Sequence, residues 1–218
     1  RILYLSLTDF IQHAHAPGTP VADQFYKDMD ARFARMVELG ATIALTADHG
    51  MGDKADENGE PNVIWLQDIL DDILGVGATR VICPITDAFV GHHGALGGFV
   101  RVYKNDGASS EAIFDAIQGI PGIERCYWAS EAAKELEQPL DREGDFAVVG
   151  DKKTVIGGRA VDHDLSALKG HRLRTHGSLH EANVPFILSK PLKSAYADRA
   201  KVGLRSHNIF EFALNGAM

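Results

Sequence analysis

The chain's 218 residues, 45% hydrophobic and 24% charged, suffice for one large or two small domains around a sizeable core. A formal net charge of −8 provides neither nucleic acid nor an anionic membrane surface with the basic footprint it needs, and no segment reaches the roughly 18 uninterrupted apolar residues of a membrane span. Two cysteines, Cys83 and Cys126, are too few for a disulfide framework and read as small reduced side chains, which suits a cytoplasmic protein.

The chain starts at Arg1 rather than Met and runs straight into "RILYLSL", an apolar stretch of strand length, so it is expected to be a fragment. "GTPVADQFYKDMDARFARMVELG" follows as a helix with Val21, Phe25, Met29, Phe33 and Val37 at four-residue spacing, its Phe25, Met29 and Phe33 face directed to the core and Gly40 its stop. "ATIALTAD" has the character of a buried strand, and the strand, helix, strand order implies a parallel sheet with a right-handed crossover. "NVIWLQDILDDIL" predicts a second amphipathic helix capped by Asn62, and "TRVICPIT" a further strand. Beyond Gly91 the pieces shorten: "GGFVRVYK", a helix over "SSEAIFDAIQ", "IERCYWA", a helix over "SEAAKELEQ", "DFAVVGD" and "TVIGG", with turn residues between strands that read as antiparallel. "NVPFILSKP" returns to a buried strand, and "SHNIFEFALNG" closes as a helix with Ser206 as its cap. The expected organisation is an α/β core over 1–90 and 173–218, interrupted by an α+β insertion over 91–172.

The chemistry gathers where strands end. In an open parallel α/β sheet ligands bind beyond the carboxyl ends of the strands, which would bring Asp9, after "YLSLT", and Asp48-His49, after "IALTA", to one edge. Asp9 and His13 stand four apart, so one helical turn puts carboxylate and imidazole on the same face, able to grip a cation, while His15 points elsewhere. Asp48 and His49 supply two further donors from a tight loop that Gly50 lets turn away. Each pattern alone is common by chance; together, at the ends of two strands, they are harder to dismiss.

Three segments carry a resemblance. "TADHGM" behind a strand, "SLTDFIQHAHAPG" upstream and "RTHGS" downstream resemble the metal-binding segments of the alkaline phosphatase superfamily, most closely its phosphonoacetate hydrolase branch. The resemblance takes in most of the chain, including "GHHGALGGFVRVY". It implies an α/β fold with a mostly parallel sheet flanked by helices and a cap-like insertion. It also implies two zinc ions, one held by Asp9, His13 and His176 and the other by Asp48 and His49. The family's threonine nucleophile, a further aspartate ligand and substrate-binding lysines belong to a segment upstream of the one that Arg1 matches, so no catalytic nucleophile is expected within these residues. The implied substrate is a small anionic phosphonate: phosphonoacetate, split at its carbon–phosphorus bond into acetate and phosphate. Three protein ligands leave a catalytic zinc an open position, whereas Asp48 and His49 alone leave the second ion underliganded.

His180, four residues after His176, is a rival ligand, and His93 of the His92-His93 pair is a further pocket candidate. Lys54 reads more simply as a solvated surface lysine than as a substrate contact. The same ligand set also serves nucleotide pyrophosphatase-like phosphodiesterases and phosphomutases of the superfamily, and a zinc-binding module without turnover is the reading outside enzymes. A homodimer is compatible with the sequence.

Overall fold

The computed structural model describes residues 1–84, 95–168 and 170–218, apart from the side chain of Ala167. In chain order its elements are α1 (Phe10–Ala14), α2 (Pro20–Glu38), β1 (Ala44–Thr46), β2 (Gly52–Asp53), β3 (Val63–Trp65), α3 (Leu66–Leu74), β4 (Thr79–Ile82), β5 (Phe99–Lys104), α4 (Ser110–Gln118), β6 (Ile123–Trp128), α5 (Ala129–Glu135), β7 (Phe146–Gly150), β8 (Val155–Gly157), β9 (Arg174–Thr175), β10 (Phe186–Leu188), α6 (Ser194–Val202) and α7 (Asn208–Glu211), which runs on into a wide turn over Phe212–Gly216. They form two compact units, one of Arg1–Gly50 with Ala182–Met218, the other of Met51–Glu181. Among the described residues no helix is long and apolar enough to cross a membrane.

In the first unit β1 pairs antiparallel with β10, Ala44 opposite Leu188 and Thr46 opposite Phe186. The closing segment packs through aromatic rings: Phe212 meets Phe186 and Tyr196 edge-on at 5.3 and 5.1 Å. Arg199 lies over Tyr196 and forks onto both Glu211 oxygens at 2.6 and 2.9 Å, a bidentate geometry that fixes α6 against α7. Helix α2 forms as its periodicity predicts, but Phe25, Met29 and Phe33 are only half-buried, and Ala22 is the residue of the helix that is shielded.

The stretch 1–8 is not a strand. Among the described residues no strand pairs with it, and without a ladder its peptide groups gain nothing from extension. The parallel crossover expected from it to β1 is therefore absent, and the neighbour β1 does have, β10, runs antiparallel.

The second unit is built on a four-stranded antiparallel sheet in the order β4-β5-β7-β6. Strand β7 reads FAVVG and is buried at every position, because both of its faces are covered. Val100, Val102, Phe146 and Val148 of the sheet pack with Leu66 and Leu70 of α3 and Ile113 and Ile117 of α4. Ser109 caps α4 by accepting the Ala112 N–H at 3.2 Å. Because β4 joins this sheet, the unit holding the 91–172 stretch starts earlier, at Met51, and continues to Glu181.

Two local expectations need correction here. Val63–Trp65 is a strand parallel to Val155–Gly157, so the helix starts at Leu66 and Asn62 does not cap it; the Asn62 amide instead donates to Lys153 O and Thr154 Oγ1. In the first unit the cap position of α7 is His207, and Ser206 contributes its carbonyl to the Ile209 N–H.

Candidate metal centre

Four of the expected ligands meet within the first unit. Asp9 occupies the cap position of α1, yet its carboxylate makes no cap hydrogen bond. The following turn carries His13 back over it, with Nε2 3.1 Å from Asp9 Oδ2, as the i, i+4 geometry of a helix dictates. His13 is buried. The loop leaving β1 supplies the other pair: His49 Nε2 lies 3.8 Å from Asp9 Oδ2 and 3.6 Å from Asp48 Oδ1. His49 Nδ1 stands 2.9 Å from the Gly50 carbonyl. That oxygen only accepts, so this hydrogen bond places a proton on Nδ1.

The side chains are of the kinds that hold a divalent ion, and Asp9 stands 3.1 Å from His13 and 3.8 Å from His49, with Asp48 3.6 Å from His49. Two imidazoles and two carboxylates suit zinc and its first-row neighbours alike. The Asp9 carboxylate lies between the rings of His13 and His49, so the two pairs that the resemblance would give to different ions share one patch of this unit.

The remaining candidates belong to the second unit. His176 follows β9, its carbonyl accepting the Gly98 N–H at 2.8 Å. Gly177 comes next, in the left-handed region at φ +104°. His180 pairs through Nε2 with Glu124 Oε2 at 2.6 Å. His93 lies outside the described residues.

Lys54 corrects the sequence reading most sharply. It is fully buried, its Nζ 3.0 Å from Glu181 Oε1, and it also donates to Lys152 O and Ser178 Oγ. A charge at 0% exposure is costly unless paired. The partner lies far along the chain, so no local pattern marks it.

No family model matches the chain. Over 49 residues it is 43% identical to the phosphonoacetate hydrolase of Penicillium oxalicum, a match covering 21% of this chain and 68% of that one. It superposes on the phosphonoacetate hydrolase of Sinorhizobium meliloti 1021, solved with phosphonoformate and with phosphonoacetate, with TM-score 0.83 and 40% identity over 96% of this chain. It spans half the length of that enzyme. Murine ectonucleotide pyrophosphatase / phosphodiesterase 5 shares the fold at TM-score 0.58 and 19% identity, over 87% of this chain and 47% of its own. The architecture is thus the α/β fold of the alkaline phosphatase type, and the chain belongs to the phosphonoacetate hydrolase family.

Proposed function

We propose that this chain carries metal-binding machinery of a hydrolase that splits the carbon–phosphorus bond of phosphonoacetate into acetate and phosphate. The observation that carries the reading is the approach of Asp9 to both His13 and His49, with Asp48 beside His49, in a chain of this family. His176, which lies in the matching "RTHGS" segment, serves as the third ligand of the ion gripped by Asp9 and His13. Asp48 and His49 serve the second ion, whose remaining aspartate ligand belongs with the threonine nucleophile to sequence outside these residues.

Zinc held by these residues would supply Lewis-acid charge to neutralise phosphonate oxygens and to lower the pKa of the attacking hydroxyl. The chain's own residues set the geometry. Asp9, shared between two imidazoles, holds both pairs in register, and the Gly50 carbonyl fixes the tautomer of His49. The burial of His13 keeps its ring out of competition with water. With a formal net charge of −8, the chain would rely on ions held by these residues to draw an anionic substrate.

Zinc titration of the metal-free chain tests this reading, alongside phosphate release from phosphonoacetate and from a nitrophenyl phosphodiester. One tight and one weak zinc site are expected, with negligible turnover by these residues alone and selective cleavage of phosphonoacetate once upstream sequence with the threonine is joined. Substantial turnover by the chain alone would place the nucleophile within it and defeat the assignment. Preference for the diester in the longer protein would move the function to the phosphodiesterase branch.

A further inference from the structure

We infer that the buried Lys54–Glu181 pair is a positioning device for His176, acting through Ser178; the inference rests on the reading of His176 as a metal ligand. The second unit grips the His176 loop from both sides. Upstream, Thr175 is fully buried, pairs with Gly52 across β2 and β9, and donates its hydroxyl to Leu96 O at 2.9 Å. Downstream, Ser178 is held by Glu181 and Lys54, and its Oγ also accepts from the His180 N–H at 3.3 Å. Its N–H and its hydroxyl both donate to Glu181 Oε2, at 2.9 and 2.7 Å, and its Oγ accepts from Lys54 Nζ at 3.3 Å. Lys54 in turn neutralises Glu181 at 3.0 Å and is steadied by the Lys152 carbonyl.

The glycines around this network leave no slack. A Cβ at Gly52 would stand 2.6 Å from Glu181 Oε1, and one at Gly98 would stand 2.7 Å from both the backbone N and the Cβ of Ser178. Each is therefore a close approach that only glycine permits, and both are made to members of the Lys54–Glu181–Ser178 set. Between the two anchors remain His176 and Gly177, with the His176 carbonyl itself tied to the Gly98 N–H. Stability alone does not call for such a pair: apolar residues of similar volume in place of a buried ion pair are commonly neutral or stabilising. What an apolar pair cannot do is accept the two Ser178 hydrogen bonds that end the loop, and a ligand displaced by tenths of an ångström weakens its ion.

Two double variants separate fastening from bulk stability. Lys54→Met/Glu181→Met removes both charges and the acceptor for Ser178. Lys54→Met/Glu181→Gln removes both charges but keeps a carbonyl that accepts from Ser178. With zinc as the probe, the first is expected to melt within a few degrees of the parent yet bind its tight zinc at least about tenfold more weakly, and the second to recover most of that affinity. In the metal-free chain, the His176 ring signals in a proton–carbon NMR spectrum should broaden or shift in the first variant and not in the second. Should the first variant fail to fold, Ser178→Ala, which deletes the hydroxyl and leaves the ion pair, is read by the same two measurements. Unchanged His176 ring signals in the variant lacking these contacts would overturn the positioning role, whatever zinc does. Unchanged zinc affinity on His176→Ala would instead defeat the ligand reading, so the two failures are distinguishable.

Discussion

The unit of Arg1–Gly50 and Ala182–Met218 carries the candidate ligands Asp9, His13, Asp48 and His49 on little buried apolar surface, whereas the unit of Met51–Glu181 holds the extended core. In the second, Leu66, Leu70, Val100, Val102, Ile113, Ile117 and Phe146 are all fully shielded. In the first, Ile2, Leu3, Tyr4, Leu5 and Leu7 are exposed and the β1–β10 ladder is three residues long. Side chains that present donors to a metal are drawn from short elements and loops, and a loop that offers His49 and Asp48 cannot also bury them. Fixity for the donors then comes from local devices: the α1 turn for Asp9 and His13, and the Gly50 carbonyl for His49.

The widest gap between the units should appear in their cores. Phe146 is fully buried and lies against Trp128 and Phe114, ring centroids 5.0 and 6.3 Å away. Phe146→Ala should cost about 3–5 kcal/mol in urea unfolding, the usual range for a large aromatic lost from a core. Phe33→Ala on the half-buried face of α2 should cost about 1 kcal/mol or less, as most partly exposed positions do. Equal costs would show that the first unit has a core as demanding as the second, and the contrast would collapse.

In the ligand set the order reverses. His13→Ala should weaken the tight zinc by more than about 100-fold, beyond the roughly 10–100-fold typical of residues that only support a ligand. The melting temperature of the metal-free chain should change little. Parental zinc affinity in that variant would remove His13 from the site.

Where residues met their partners nearby in sequence, the fold was legible. Helix α4, the strands β5, β6 and β7 and the long helix α2 follow from periodicity and turn residues. So does the Asp9–His13 pairing, which one helical turn fixes. What escaped depended on distant partners. Val63–Trp65 became a strand because Val155–Gly157 lies beside it. The stretch 1–8 stayed out of a sheet for want of a partner among the described residues. Lys54 looked like surface because its acceptors, Glu181, Ser178 and Lys152, are brought to it only by tertiary structure. The His180–Glu124 pairing likewise joins residues distant in the chain.

Alkaline pH offers a way to loosen the second unit selectively. Burial pushes the Cys126 thiol up to about 12, helped by the Glu131 carboxylate, against an ordinary value of 9.0. Between those limits the unfolded chain has lost the thiol proton that the folded chain keeps. The contribution is therefore fully present below pH 9 and is lost as pH rises toward 12. Urea midpoints measured from pH 8 to 10.5 should fall, and Cys126→Ala should flatten the fall. An identical slope in that variant would move the effect to other groups.

The smallest difference should appear at helix ends. Ser109 fastens α4 in the second unit by accepting the Ala112 N–H, so Ser109→Ala leaves a first-turn donor without its protein acceptor and should cost about 1 kcal/mol. Thr19 holds the same position on α2 in the first unit, but its side chain makes no cap hydrogen bond and its hydroxyl donates to Ala16 O instead. Pro20, next in line, has no N–H to satisfy and sets the helical φ by its ring. Thr19→Ala should therefore cost only a few tenths of a kcal/mol, in line with a helix start that already has less to lose. Unfolding curves of the two variants decide the point: a Thr19→Ala cost equal to that of Ser109→Ala would mean the first unit's longest helix depends on its cap as heavily as α4 does.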